Sequence, residues 1–227
     1  MQKKLFTVLI SVVCLVTIVS IAYASQSVVV KSDPTATAKA WATGVQTRNG
    51  TLQYALMSPE LQKKNYQLFV DNNWSTGTSS PWIVKYTVVE REKIDATTYI
   101  YDIEYTFSDS TKATFITSET IVVKKYGDNW LVACTEQTAD IQGQITEITV
   151  KDGNLRIFIE GTKTVGSYDK AYVAVTDETK IYQGWTDELL SSDQLTKGLT
   201  VEVVFSGPAL MSYPIQVGAG SIRVFTQ

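Results

Sequence analysis

The sequence predicts an α+β protein in which helices precede two groups of short strands. Apolar residues recur at helical spacing as far as residue 71, and the period changes to two after residue 82. A second set of alternating segments begins after residue 143. Helices followed by runs of strands are typical of α+β packing. We therefore expect a helix-and-sheet unit at residues 33–137 and a small all-β unit at residues 143–227, after a separate segment at residues 1–24.

Capping residues place the predicted helices. Asp33-Pro34 supplies an N-cap followed by proline at the first helical position. We expect this helix to end at Asn49-Gly50, a short helix capped by Thr51 to follow, and a third to begin at Ser58-Pro59. The inner face of the third helix is predicted to carry Leu61, Leu68 and Phe69.

Alternating side chains predict four strands for the first unit. From Tyr99 to Phe107, large apolar residues alternate with Asp102 and Glu104. The same period is present over residues 82–88, 113–126 and 130–135. One face of this sheet should therefore pack on the helices, and the other should be polar.

The second unit follows the plan of a small barrel. Lys151-Asp152-Gly153-Asn154 is a hairpin signal between two alternating segments. A helical turn at residues 192–195 precedes the strand that contains Val201 and Val203. Five short strands with a helical turn before the fourth are typical of an OB-like barrel.

Residues 1–24 have the pattern of an export segment, a signal peptide. Lys3 and Lys4 precede an apolar run, and Ala22-Tyr23-Ala24 matches the small-x-small pattern that signal peptidase cleaves. Because the run approaches the ~20 residues that cross a bilayer, an uncleaved N-terminal anchor is an alternative. The rest of the chain is expected outside the cytoplasm, secreted or anchored, with membrane contact only through residues 1–24 if they stay uncleaved.

Composition disfavours several chemistries. The chain has no histidine, which removes Ser-His-Asp and Cys-His catalysis and the commonest ligand for zinc and iron. Cys134 is the only cysteine outside the export segment, so no intramolecular disulfide can form there. Removing Lys3 and Lys4 from the 20 basic residues leaves 18 against 23 acidic ones, a net charge of −5 that argues against nucleic acid as a partner. We predict no cofactor.

The first unit carries the motifs Arg48-Asn49-Gly50, Tyr54, Leu56-Met57-Ser58-Pro59-Glu60-Leu61 and Ser79-Ser80-Pro81-Trp82. With the order of helices before strands, residues 35–136 resemble exported nuclear transport factor 2-like domains of Gram-positive bacteria. The resemblance implies a cone in which a curved antiparallel sheet wraps helices around a pocket. Exported members are uncharacterised or form the outer portion of membrane sensors. Enzymes of the superfamily commonly use His or Asp pairs, so the missing histidine argues against catalysis here.

The second unit carries the motifs Gly161, Tyr168-Asp169-Lys170-Ala171-Tyr172-Val173, Thr176-Asp177-Glu178-Thr179, Phe205-Ser206-Gly207-Pro208 and Ser212-Tyr213-Pro214. On these residues, positions 143–224 resemble the DUF3221 family, small exported β domains of Bacillus-like bacteria. The resemblance implies a compartment and a fold, and no established activity.

Candidate ligand-pocket residues lie in the first unit. The aromatic candidates, which can supply an apolar wall with a few oriented hydrogen bonds, are Trp41, Tyr54, Trp82, Tyr101, Tyr105 and Trp130. The alternative that we favour is that they fill the interior of the sheet. Asp102 and Glu104 lie two residues apart on one strand and can form an acid and base pair, although a solvated polar face explains them more simply.

The second unit offers weaker candidates. Five aromatic residues are compatible with a sugar or peptide contact, although packing at the barrel ends is favoured: Tyr168, Tyr172, Tyr182, Trp185 and Tyr213. The acidic pairs Asp177-Glu178 and Asp187-Glu188 lack the glycine of a calcium loop, so no metal site is predicted. Cys134 has no basic neighbour in sequence and is predicted to be a buried, inert thiol.

These observations predict a non-enzymatic, extracytoplasmic protein of the Gram-positive cell envelope that binds a small molecule, a peptide or another envelope protein. One alternative is a pocket enzyme that uses Asp102, Glu104 or a tyrosine for acid and base chemistry. A carboxylate inside the aromatic cone would favour it, because the pKa of that group would rise in a water-poor setting. Another alternative is a structural partner of a membrane sensor.

Overall fold

The computed structural model describes residues 33–151, 154–166, 168–210 and 212–225. In this described part three α-helices come first and strands follow, which confirms the predicted α+β class. The predicted export segment, residues 1–24, and the turn residues Asp152 and Gly153 lie outside the described residues. Within the described ranges, no helix has both the length and the hydropathy that crossing a bilayer requires.

The helices are α1 (Pro34–Gln46), α2 (Gly50–Leu56) and α3 (Pro59–Asp71). Asp33 and Ser58 cap α1 and α3 as predicted, since each side chain accepts a hydrogen bond from the first turn. The cap of α2 is Asn49, whose Oδ1 accepts from the Leu52 N–H at 2.9 Å. The predicted Thr51 cap is therefore wrong, because the Asn49 side chain already occupies that role.

Helix α3 packs on the sheet through few side chains. Leu61 and Phe69 are buried, at 8% and 5% exposure, as the sequence predicted. Leu68 is 60% exposed, so its predicted place on the inner face is wrong. Leu61 and Phe69 alone therefore form the buried face of α3.

The first sheet consists of β1 (Trp82–Asp95), β2 (Thr98–Ser108), β3 (Thr114–Tyr126) and β4 (Asn129–Gln137). The strands are antiparallel and lie in chain order. Tyr101, Ile103 and Tyr105 of β2, with Ile121 of β3, form one face and are buried with Trp41 of α1. The period of two thus separates the helix-facing side chains from those on the opposite face.

The remaining strands are β5 (Ile141–Lys151), β6 (Asn154–Gly166), β7 (Lys170–Val175), β8 (Lys180–Gln183), β9 (Leu189–Leu190), β10 (Thr200–Phe205) and β11 (Ile215–Phe225). Five of them close a ring in the order β10, β5, β6, β7 and β11, because β10 pairs with both β5 and β11. The pairing of β7 with β11 is parallel and the others in the ring are antiparallel. A short 3-10 helix at Ser192–Gln194 precedes β10. The predicted five-stranded barrel is thus present, and the β8–β9 hairpin was not predicted.

Glycines allow β5 and β6 to approach closely where the barrel bends. A Cβ atom on Gly143 would lie 2.3 Å from the carbonyl oxygen of Glu160, and one on Gly161 would lie 2.4 Å from that of Gln142. The pairing register shifts between Ile141 and Gly143. No other residue fits these two positions without moving the strands apart.

The barrel covers part of the outer face of the first sheet. Ile100 and Val122 are partners on β2 and β3 and point away from the helices, yet both are fully buried. Only three residues, 138–140, connect β4 to β5. The Asp140 N–H donates to Val203 O of the barrel, while the Thr138 N–H donates to Ser118 O of the sheet. The short connection therefore holds the barrel against this face.

Two arginine–carboxylate pairs cross from the sheet to the barrel. Arg91 of β1 pairs with Glu202 of β10, with Nη2 3.1 Å from Oε1. Arg223 of β11 pairs with Glu136 of β4, with Nε 2.6 Å from Oε2. The two guanidinium carbons lie 5.0 and 5.1 Å from the ring centre of Trp185. We call these five residues the interface cluster. Each half of the protein supplies one arginine and one carboxylate.

Removing Glu136 should destabilise the protein far more than removing a surface pair. In Glu136→Ala the guanidinium of Arg223, only 3% exposed, loses its carboxylate, and such a loss costs about 3–5 kcal/mol. Lys64 and Asp187 also bridge the two halves, but their side chains are 62% and 68% exposed, so Lys64→Ala should cost about 0–1 kcal/mol. Urea unfolding of both variants measures the difference, and equal losses would contradict the structural role of the cluster.

Candidate functional site

The structure divides the ligand-pocket residues that the sequence proposed. Trp41, Tyr101, Tyr105 and Trp130 are buried together at 0–7% exposure and form the core between helix and sheet. This burial fits the interior role that we favoured for them. Tyr54 lies instead in an aromatic group with Tyr66, Phe69 and Trp74, and Trp82 is 39% exposed.

Asp102 and Glu104 lie on the face opposite the helices and the aromatic core. Asp102 accepts from the Thr120 hydroxyl at 2.7 Å and lies 3.5 Å from Nη1 of Arg91 at the edge of the interface cluster. Glu104 is exposed. Because inward and outward positions alternate along β2, neither carboxylate can enter the core beside Tyr101 and Tyr105.

Another carboxylate, Glu119 of β3, lies at the edge of this core. Its Oε2 accepts from the Trp41 indole N–H at 3.1 Å and from the Tyr105 hydroxyl at 3.0 Å. Sequence reasoning missed it, although a signal was present: Glu119, Ile121 and Val123 share one face at a spacing of two. The structure thus places a carboxylate against the aromatic side chains, but not one that the sequence had proposed.

Burial sets the protonation of these groups. It raises the pKa of Glu119, against the two hydrogen bonds that favour the charged form. Burial also raises the pKa of Tyr105, with Glu119 adding to the effect, and raises that of Tyr101 to about 12. Both tyrosines therefore keep their protons at neutral pH and act as hydrogen-bond donors or partners rather than bases.

A groove of about 430 Å³ lies on the outside of the barrel. Strands β6, β7 and β11 form its floor, and the segment between β10 and β11 contributes to its wall. Its apolar lining consists of Leu155, Ala174, Pro208, Leu210, Val217 and Gly218. Its polar lining consists of Asn154, Arg156, Tyr172 and Gln216. Apolar walls with a few converging polar groups, at this volume, are typical of small-molecule sites.

Strand register explains the shape of the groove. Ala174 is the partner of Arg156 on β6 and of Gly218 on β11, so two small residues lie side by side in the floor. A Cβ on Gly218 would lie 2.6 Å from the Ser206 hydroxyl, so a larger residue there requires the Ser206 side chain to move. Leu210, which is 64% exposed, is held beside the groove by a hydrogen bond from its N–H to Gln216 O.

Arg156 is oriented by its neighbours in the groove. Its guanidinium carbon lies 4.3 Å from the ring centre of Tyr172, and its Nη2 donates to Gln216 Oε1 at 2.9 Å. Tyr172 in turn stacks on Phe158 with ring centres 4.5 Å apart. These contacts hold a half-buried cation on an aromatic surface.

The aromatic residues that the sequence proposed for the barrel have different positions. Tyr172 lies in the groove, while Tyr182 and Trp185 both contact Arg223 at the interface. Tyr168 packs on Phe205, and Tyr213 is 72% exposed. One of the five thus lines the groove.

Cys134 and the acidic residues offer little chemistry. Burial raises the pKa of the half-buried Cys134 thiol to about 11, which makes it a poor nucleophile at neutral pH. The sequence showed no basic neighbour, but Arg223 Nη2 lies 3.7 Å from the sulfur and acts on this pKa in the opposite direction. Across the described residues, no three His, Cys, Asp or Glu side chains are grouped so as to hold a metal ion.

Comparison of the chain with protein-family models, with curated proteins and with solved structures found no match. Functional interpretation therefore depends on the geometry of the groove and of the core.

Glu119→Gln should flatten the pH dependence of stability. Because burial raises the pKa of Glu119, its protonated form stabilises the fold below the ordinary value of 4.5, and this contribution is lost as pH rises through the raised value. Glutamine does not titrate and can still accept from Trp41 and Tyr105. Urea unfolding at several values between about pH 4 and pH 8 measures the slope.

The control for this prediction is Glu104→Gln on the exposed face of β2. It removes the same charge from a neighbouring strand without touching the core. We expect it to keep the wild-type slope of unfolding free energy against pH. If both variants retain that slope, Glu119 is not the group responsible.

Proposed function

We propose that the protein is a non-enzymatic binding protein of the Gram-positive cell envelope, located outside the cytoplasm, and that the barrel groove is its ligand site. The observation that carries this proposal is the groove itself, in which a guanidinium lies on an aromatic ring between apolar walls. Such a site can bind and orient a ligand. The candidate ligands remain a small molecule, a peptide or a segment of another envelope protein.

We also propose that the barrel is an OB-like barrel of the DUF3221 type. Its five-stranded ring, its single parallel pair and the 3-10 turn before β10 support this assignment. OB barrels bind ligands across their second and third strands and the loop after the fourth. In this chain those elements are β6, β7 and the segment between β10 and β11, which border the groove.

The proposed assignment of the first unit is a nuclear transport factor 2-like cone. Helices packed on one face of a four-stranded antiparallel sheet, with register shifts that bend β1, support it. Location outside the cytoplasm is supported by Lys3 and Lys4 before the apolar run of residues 5–24.

Glu119 gives specific support to a second candidate function, a pocket enzyme with acid and base chemistry. A carboxyl with a raised pKa beside Trp41 and Tyr105 is the arrangement that general acids use. Turnover in a broad hydrolase and isomerase screen, lost in Glu119→Gln, would favour this function over simple binding. We place it second because both hydrogen bonds also satisfy a structural carboxyl.

Ala174→Leu should abolish ligand binding at the groove. The larger side chain would extend from the floor of the groove between Arg156 and Gly218, without entering the barrel core. In a thermal-shift panel of envelope fragments, sugars, peptides and small acids, a ligand at 100 times its Kd stabilises the wild type by ~2.7 kcal/mol. We expect that shift to be absent in Ala174→Leu.

The matched control is Ala113→Leu, the same substitution at an exposed position between β2 and β3. It should keep the full thermal shift. A ligand that stabilises both variants equally binds elsewhere and would contradict the assignment of the groove.

A further inference from the structure

The arginines of this protein differ in how their charge is balanced. Arg91 and Arg223, in the interface cluster, each lie on an aromatic ring and pair with carboxylates. Arg156 also lies on an aromatic ring, that of Tyr172. In the part of the chain that the structure describes, however, no carboxylate lies within ion-pair distance of Arg156.

The guanidinium of Arg156 has N–H donors that no other described side chain uses. Arginine carries five N–H donors, and among the described residues only Gln216 accepts from it. The stacking on Tyr172 and the bond to Gln216 fix its plane, so the entropy cost of forming a two-pronged contact is already reduced. A planar acceptor with two oxygens is the natural complement of such a group.

The rest of the groove is apolar and open. The exposed Pro208 and Leu210 lie beside a floor of Ala174 and Gly218, while Leu155 and Val217 border the groove from strand positions whose side chains pack on the barrel core. A ligand that covers these surfaces gains about 25 cal/mol for each Å² of apolar area removed from water. The volume of about 430 Å³ suits a small molecule or a short chain end.

Charge in the surroundings restricts the ligand to few negative groups. Residues 143–227 contain 7 Lys and Arg against 10 Asp and Glu, so a polyanion meets net repulsion. Lys170, which shares the outer face of β7 with Tyr172, is already paired with Glu160 at 2.7 Å. A single carboxylate therefore matches the site, and a phosphate backbone does not.

We propose that the groove binds a carboxylate attached to an apolar body, with Arg156 as the partner of the carboxylate and the Ala174, Pro208 and Leu210 side chains against the apolar body. This inference rests on the proposed binding function and names the ligand class. Two sources share this chemistry: an alkyl carboxylic acid, and the C-terminal end of a peptide with an apolar last residue.

Titration calorimetry of the purified protein with matched acids and amides tests the proposal. Octanoate against octanamide represents the alkyl source, and N-acetyl-leucine against N-acetyl-leucinamide represents the peptide end. Since a hydrogen bond to a charged group contributes more than a neutral one, we expect at least one acid to bind about 10- to 100-fold more tightly than its amide. The pair that shows the difference identifies the source.

Variants of Arg156 assign the effect. Arg156→Gln should bring the acid to the affinity of its amide, and Arg156→Lys should retain part of the preference because it keeps the charge without the planar fork. If Arg156→Gln is too unstable to measure, Arg156→Lys still tests the role of Arg156. The ratio of acid affinity to amide affinity is measured within each variant, so a change in stability does not affect the comparison.

Three outcomes would overturn the proposal: equal affinity of acid and amide, an unchanged ratio in Arg156→Gln, or no binding of any of the four probes. If amides bind and Ala174→Leu abolishes that binding, the groove stays the ligand site and only the carboxylate is wrong. If none of the four probes binds, and ligands from the wider panel give the same thermal shift with Ala174→Leu as with the wild type, the proposed function fails as well.

Discussion

The pairing of one arginine from each half with a carboxylate from the other constrains the whole structure. Arg91 and Arg223 are 11% and 3% exposed, and packing the two halves together without the opposite carboxylates would bury charges that lack these partners. Removing such charges from water costs about as much as the pairing returns, so the pairs add little net stability. We expect the pairs to favour one arrangement of sheet and barrel, because other arrangements leave the charges unpaired.

This constraint divides β11 into two parts with different roles. Its second part carries Arg223 into the interface and pairs with β8 at residues 221–224. Its first part pairs with β7 at residues 215–218 and supplies Gln216 and Gly218 to the groove. A strand rises about 3.3 Å per residue, so roughly 23 Å separate Gln216 from Arg223. The interface therefore fixes the strand that supports the groove without occupying the groove.

Local patterns predicted much of the fold. The alternation of Tyr101, Ile103 and Tyr105 with Asp102 and Glu104 correctly separated the two faces of β2, because strand geometry allows no other arrangement. Helix starts were less certain, since Asn49 and Thr51 are both good caps and the choice depends on which side chain reaches the first turn. Strands β8 and β9, with four and two residues, are too short for a period to be visible.

The sites were harder to predict than the fold because they join distant parts of the chain. Arg91 and Glu202 are 111 positions apart, and Arg223 and Glu136 are 87 apart. From the sequence, the polar face of the sheet was predicted to be solvated, whereas the structure covers part of it with the barrel. The groove depends on the parallel pairing of β7 with β11. Only this register places Ala174 beside Gly218, so the sequence alone did not indicate that they form the floor of a groove. Glu119 was accessible to sequence reasoning, since its spacing from Ile121 places it inside.

The three arginines on aromatic rings share one arrangement with one difference. For Arg91 and Arg223, the aromatic ring of Trp185 orients the guanidinium and a carboxylate from the other half of the chain completes the site. For Arg156, Tyr172 provides the ring, but the described residues provide no carboxylate. In the proposed complex a ligand carboxylate supplies this partner, and the interface cluster shows within the same molecule how a guanidinium on an aromatic ring pairs with a carboxylate.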